Sequence, residues 1–147
     1  MQTATKPKRE EMTEISTACL EGADCFMLTH ETSIGKSPVE STTYLAKAIA
    51  EAEGIYDYEQ AYVNVKDEVK KKGANVQNID ILCATGCTIA FEERENVDMF
   101  VCLTETGKIA RYIAKHHPKQ PILACSINGQ VVRQVNMTRG VVGYKIP

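Results

Sequence analysis

The apolar and polar positions near the start of the chain predict a helix followed by a buried strand. Between residues 7 and 20, apolar side chains recur every three to four residues, as they do on one face of an amphipathic helix. These positions are Met12, Ile15, Cys19 and Leu20. Gly22 suits the left-handed backbone just past a helix end. The mostly apolar run of residues 23–28, which begins at Ala23 and ends at Leu28, has the length of a strand buried on both faces.

A second helix start follows the polar loop of residues 29–37. Ser37, Pro38 and Glu40 have the spacing of a capping box with proline at the first helical position. We therefore expect the Ser37 hydroxyl to accept a hydrogen bond from the first turn. The helix carries an apolar stripe that ends near Gly54, formed by Val39, Leu45, Ala48, Ile49 and Ala52. Residues 55–72 continue as a helical pattern that ends in Lys70, Lys71 and Lys72 before Gly73, which is typical of a helix end.

From residue 79 onward, helical and strand-like patterns alternate strictly. Helices are predicted over residues 79–94, 107–116 and 129–137, and short buried strands over 99–103, 122–126 and 141–146. Helices between short apolar runs indicate parallel strands joined by right-handed crossovers. We therefore divide the chain into residues 1–54, a helical connector over 55–78, and an α/β domain over 79–147.

Composition excludes several classes of function. The chain has 17 Lys and Arg against 19 Asp and Glu, without a long basic run, so neither nucleic acid nor an anionic membrane is an expected partner. No apolar run approaches the roughly 18 residues of a membrane span, and the N-terminus lacks the apolar core of a signal peptide. We therefore expect a cytoplasmic protein.

The six cysteines are interpreted as buried free thiols rather than as metal ligands. They contain no C-x-x-C pair and have no histidine at ligand spacing, so no metal site is expected. Three lie in strand-like runs and two share one helix face, which is core spacing. The first three are Cys25, Cys102 and Cys125, and the other two are Cys83 and Cys87. His116 and His117, which precede Pro118 at a predicted helix end, are expected to be solvated caps.

The segment of residues 22–40 resembles the last barrel strand and the following loop of the pyruvate kinase family. The family pattern GADC-x-ML-SGETAKG-x-x-P-x-E is matched without a gap at Gly22-Ala23-Asp24-Cys25, Met27-Leu28, Glu31-Thr32, Gly35, Pro38 and Glu40. Further matches to the family occur at Pro7 to Glu11, Leu103 to Lys108, Ala110-Arg111-Tyr112, Pro121-Ile122, Arg133-Gln134 and Arg139-Gly140. The resemblance covers nearly the whole chain and is weakest over residues 55–78.

The resemblance implies an α/β fold of two parts. Residues 1–54 would be a remnant of the last β/α unit of a TIM barrel. The rest would be a three-layer α/β domain with a mostly parallel, incomplete sheet. Family members also carry seven further barrel strands and a lid domain. We therefore expect residues 23–28 to lack the barrel strands that flank them in the family.

The resemblance also implies a catalytic loop, which is degenerate here. Thr29 stands where the family has a serine, and Glu31 matches its glutamate; in the family these groups organise the water and proton near the forming enolate. Ile34 replaces the family's lysine and His30 replaces its flexible glycine, and both changes weaken the site. Glu31 is thus either a catalytic group or a carboxylate that orients the loop through backbone N–H groups.

A second candidate site is the strand-to-helix loop of residues 104–108. It resembles the loop that binds a sugar-phosphate effector in regulated pyruvate kinases, with Thr104, Thr106, Gly107 and Lys108 as the candidate residues. Hydroxyls and N–H groups at a helix start are suited to an anion. Glu105 places a negative charge beside the expected phosphate, so an ordinary capped turn is the alternative.

Three hypotheses for function remain open from the sequence. The first is a pyruvate-kinase-like fragment or short paralogue that does not catalyse alone and acts as a structural or interaction subunit. The second is the C-terminal part of an active pyruvate kinase that transfers phosphoryl from phosphoenolpyruvate to ADP, with Mg²⁺ and K⁺ expected only in the complete enzyme. The third is a phosphate-ligand sensor that uses residues 104–108. The family's metal-binding and phosphoryl-stabilising residues lie on earlier strands. Because the barrel strands that flank residues 23–28 in the family are also missing, we expect a protein partner, a homo-oligomer or a larger assembly to cover these residues.

Overall fold

The structure is a computed structural model that describes residues 1, 6–72, 77–93 and 95–147. The chain forms two compact units, Met1–Tyr56 and Asp57–Pro147.

The first unit is built on two helices that pack against each other, α1 (Arg9–Leu20) and α3 (Pro38–Gly54). Their facing side chains include the buried residues Ile15, Cys19, Ala48 and Ala52. The Lys8 N–H donates to the Glu11 carboxylate at 2.8 Å and closes the first turn of α1. Gly22 has φ +94°, which confirms the predicted left-handed position after α1.

The prediction of a buried strand over residues 23–28 is wrong. This segment forms no strand, Cys25 is exposed, and Met27 keeps 82% of its accessible surface. A strand satisfies its backbone N–H and C=O groups by pairing with a neighbour. The described residues of the first unit contain no strand that could pair with it. The apolar run therefore stays irregular and accessible.

Two details of the second helix start also differ from prediction. The Ser37 side chain makes no capping hydrogen bond, although Ser37 is buried and α3 begins at Pro38 as expected. Val39, assigned to the apolar stripe, is 73% exposed. The fixed φ of Pro38 suits the first helical position, so α3 can begin there without the hydroxyl cap. A short helix that was not predicted, α2 (His30–Ser33), interrupts the preceding loop.

The second unit begins with two helices, α4 (Tyr58–Lys72) and α5 (Asn78–Glu92), which meet through the side chain of Tyr62. Tyr62 stacks on Phe91 with ring centroids 4.8 Å apart, and its hydroxyl lies 2.5 Å from the Thr88 hydroxyl. Cys83 and Cys87 on α5 are buried as predicted. The predicted glycine stop at Gly73 lies outside the described residues.

A three-stranded parallel sheet follows, and it confirms the predicted alternation. Its strands are β1 (Phe100–Leu103), β2 (Ile122–Ser126) and β3 (Val141–Lys145), in the order β1-β2-β3. Helix α6 (Lys108–Ala114) connects β1 to β2, and α7 (Gly129–Val135) connects β2 to β3. The register pairs Cys102 with Ala124 and Ile122 with Val141.

Helices α6 and α7 cover one face of this sheet. One buried cluster joins their inner side chains to alternate strand positions. Its helical and strand members include Ala110, Ile113, Val131, Val135, Cys102, Ile122, Ala124 and Val141. Gly143 faces α7 so closely that a Cβ there would lie 2.2 Å from the Val132 carbonyl oxygen.

The opposite face of the sheet carries apolar side chains that are largely accessible. We call the side chains of Val101, Leu103, Val142 and Tyr144 the open sheet face; each is between 55% and 70% exposed. They alternate along β1 and β3 with the positions that face the helices. Parallel sheets are normally covered on both faces, so this surface is unusual for its class.

Candidate functional site

The structure brings Thr29 and Glu31 together at the start of α2. The Glu31 carboxylate accepts a hydrogen bond from the Thr29 N–H at 3.2 Å. The pKa of Glu31 is held below its ordinary value, first by the backbone N–H of Glu31 itself and then by that of Thr29. A carboxylate engaged in this way orients the loop, and this geometry favours the structural interpretation over proton transfer. Ile34, at the family's lysine position, is 77% exposed.

The loop of residues 104–108 forms a turn whose polar groups largely satisfy one another. The Thr104 hydroxyl is buried and accepts a hydrogen bond from the Gly107 N–H at 2.9 Å. Gly107 has φ +76°, which closes the turn. The Arg111 guanidinium donates to the Thr106 carbonyl at 3.3 Å, and the Lys108 ammonium lies 5.6 Å from the Tyr112 ring centroid. The turn therefore unites the four candidate residues, but it uses Thr104 and Gly107 for its own stability.

A cluster that the sequence did not predict joins α5 to the end of α6. Asp80 accepts hydrogen bonds from the Lys115 ammonium at 2.5 Å and from His116 Nε2 at 3.1 Å. His116 is 2% exposed and Asp80 is 7% exposed. The prediction that His116 is a solvated cap is therefore wrong, because the chain turns after α6 and carries its ring against α5.

Burial and hydrogen bonding together set the pKa values of the groups in this cluster. Burial alone would raise the pKa of Asp80, but the hydrogen bonds from Lys115 and His116 hold it below its ordinary value. Burial lowers the pKa of His116, and the hydrogen bond to Asp80 offsets this only in part. The neutral ring therefore donates its Nε2 proton to a charged carboxylate.

Comparison with known proteins decides the family. Residues 80–147 match the family described as the pyruvate kinase alpha/beta domain. A pyruvate kinase from Eimeria tenella is 35% identical over 143 residues, which cover 97% of this chain and 26% of that protein. For pyruvate kinase 1 of Trypanosoma brucei brucei, the identity is 33% over 147 residues, covering 97% of this chain and 28% of the relative. The crystal structure of a pyruvate kinase from Cryptosporidium parvum superposes with a TM-score of 0.89 at 31% identity, covering 98% of this chain and 28% of that one.

The chain belongs to the pyruvate kinase family. It spans about a quarter of the length of these pyruvate kinases, and it matches their C-terminal part. The open sheet face lies within residues 80–147, which match the pyruvate kinase alpha/beta domain.

The pyruvate kinase resemblance raises the question of whether these residues could hold Mg²⁺ or K⁺. Within the described ranges, no group of three or more His, Cys, Asp and Glu side chains is placed to hold a metal ion. Each candidate loop supplies a single carboxylate, Glu31 in one and Glu105 in the other, and Glu31 already accepts a backbone hydrogen bond. The described residues therefore do not supply the carboxylate-rich set of ligands that would fit Mg²⁺. Among the described helices, none is long and apolar enough to cross a membrane.

The cysteines of this pyruvate kinase segment are free thiols. Burial raises the pKa of Cys87 to about 12 and also raises the pKa values of Cys83 and Cys102. These thiols stay protonated near neutral pH, so they are poor nucleophiles and poor metal ligands. Cys25 departs from the interpretation of buried thiols, because it lies in the accessible run of residues 23–28.

Proposed function

We propose that this chain is a pyruvate kinase C-terminal segment that does not catalyse alone and acts in the cytoplasm as a structural or interaction subunit of a larger assembly. The observation that carries the proposal is the accessible, irregular run of residues 23–28, in which Met27 is 82% exposed. Exposed apolar side chains of this kind are ones that proteins normally cover. The open sheet face supports the same proposal independently, because it lies in the other unit.

The lack of activity follows from how phosphoryl transfer is catalysed. This reaction depends almost wholly on positioning and on cations that neutralise the charge of the transferred group. Of the family's catalytic loop, the chain retains Glu31 and a hydroxyl at Thr29, while Ile34 supplies no charge. Glu31 is engaged by the Thr29 N–H, and Thr29 is accessible to solvent. These groups do not assemble a phosphoryl-transfer site.

A second candidate is that the chain forms the C-terminal part of an active pyruvate kinase. In that case the remaining barrel would supply the Mg²⁺ and K⁺ sites and the substrates would be phosphoenolpyruvate and ADP. The similarity favours this candidate because it extends over 97% of the chain rather than over the alpha/beta domain alone.

We expect the purified chain to form no pyruvate from phosphoenolpyruvate and ADP in the presence of Mg²⁺ and K⁺. The measurement is a coupled assay of pyruvate formation, with a full-length pyruvate kinase as the positive control. Turnover above about 1 s⁻¹, the lower end of usual enzyme rates, would contradict the first candidate. Activity that appears only when a separately purified barrel portion is added would support the second.

A further inference from the structure

The buried cluster of Asp80, Lys115 and His116 has an unequal balance of charge. One carboxylate contacts two basic side chains, and it already forms an ion pair with the Lys115 ammonium at 2.5 Å. His116 is more deeply buried than Lys115, whose side chain is 37% exposed. A proton added to His116 would place a second positive charge beside one shared carboxylate, in a site with little water.

The cluster also fixes a turn. Residues 115–121 connect α6 to β2, and the contacts that hold this turn on α5 include two hydrogen-bonded sites. The first is the Asp80 cluster, and the second is the hydrogen bond from the Gln120 amide to the Ala90 carbonyl at 2.9 Å. The first contains the His116 ring, whose ordinary pKa lies near neutral pH.

We propose that Asp80, Lys115 and His116 form a pH-responsive latch, which holds the turn of residues 115–121 on α5 near neutral pH and releases it in mild acid. The charged groups that act on His116 are Asp80 from α5 and Lys115 from the turn itself. Cys83, the other titratable group on this part of α5, stays protonated in the relevant range because burial raises its pKa.

The direction of the pH effect follows from linkage. His116 has a pKa below its ordinary value of 6.5 when the latch is closed, and it regains the ordinary value when the ring reaches water. The released state therefore binds more protons between these two values, and release becomes more favourable as the pH falls through 6.5. Between pH 7.5 and pH 5.5 the release equilibrium should rise by up to about tenfold. Asp80 contributes nothing in this range, because its pKa lies below its ordinary value of 3.8.

Amide hydrogen exchange across this pH range tests the latch directly. After correction for the intrinsic pH dependence of exchange, protection of the amides of residues 115–117, 119 and 120 should fall up to about tenfold between pH 7.5 and 5.5 in the parent chain. His116→Gln keeps an amide N–H for Asp80 but cannot titrate, so the fall should disappear. His30→Gln, at an exposed histidine in the other unit, is the matched control and should leave the fall unchanged.

Lys115→Gln separates the latch from a merely structural contact. With Lys115 gone, a protonated His116 becomes the only cation beside Asp80, so acid should release the turn less than in the parent chain or should tighten it. Ring proton NMR of the chain's three histidines provides a second readout that does not require His116→Gln to fold. The proposal is overturned if His116 titrates at or above 6.5 in the parent chain, or if Lys115→Gln leaves the pH dependence of protection unchanged.

Discussion

Gly143→Ala is expected to destabilise the second unit by about 3 kcal/mol or more, because overpacking against backbone is among the most costly single changes. The new Cβ would lie 2.2 Å from the Val132 carbonyl oxygen and 3.0 Å from the Val135 side chain. A flexible side chain could move away, but the Val132 oxygen is part of the α7 backbone, so α7 must shift off β3. Thermal unfolding followed by far-ultraviolet circular dichroism should show a melting temperature lower by more than about 10 °C.

Gly86→Ala is the matched control for this experiment. Gly86 lies inside α5, and a Cβ there would meet only the Phe100 ring, at an ordinary 3.8 Å. Alanine is the better helix former, so this variant should be more stable than the parent by about 0.5–1 kcal/mol. If the free energy of unfolding of Gly143→Ala lies within about 1 kcal/mol of the parent value, the close approach of α7 to β3 is incorrect.

Asp80→Ala is expected to lower the free energy of unfolding of the second unit by about 2–3 kcal/mol at pH 7. The substitution leaves the buried His116 ring without an acceptor for its Nε2 proton, which costs about 1–3 kcal/mol. Loss of the Lys115 ion pair adds less to the destabilisation, because the Lys115 side chain is partly exposed and can turn to solvent. Urea unfolding at pH 7 provides the measurement.

Asp98→Ala controls for the loss of a carboxylate as such. Asp98 is exposed and lies just before β1 in the same unit. Its removal should change the free energy of unfolding by no more than about 0.5 kcal/mol. Equal effects of the two substitutions would mean that the Asp80 cluster contributes no specific stability.

The elements of the second unit could be predicted closely because their signals are local. Strand β2 spans the predicted range, Ile122–Ser126, and β1 and β3 are each one residue shorter than predicted. The parallel order follows from the crossover helices that the alternating pattern supplies.

The run of residues 23–28 could not be predicted correctly from its own pattern. Apolarity indicates that a segment can be a buried strand, but strand formation depends on neighbours that are distant in sequence. Here the described part of the first unit provides none, so the same residues remain irregular. The family resemblance identified the segment correctly and still did not determine its local structure.

The same difference between local signals and contacts distant in sequence applies to the candidate sites. The turn at Thr104 and Gly107 is local, and its spacing in the sequence indicated both residues. The contact between Asp80 and His116 joins residues 36 positions apart, and no local pattern predicts it. One signal was present: Asp80 falls on the same helix face as the buried Cys83 and Cys87, and a carboxylate on an apolar stripe requires a basic partner.

Light scattering on the purified chain tests the central claim most directly, which is that the chain is not a self-sufficient monomer. We expect self-association or a requirement for a partner, together with binding of a dye that reports accessible apolar surface. The substitutions Leu103→Lys and Tyr144→Lys on the open sheet face should reduce any self-association through that face, because an unpaired charge is costly to bury there. A sharp monomer peak with cooperative thermal unfolding and no dye binding would contradict the account.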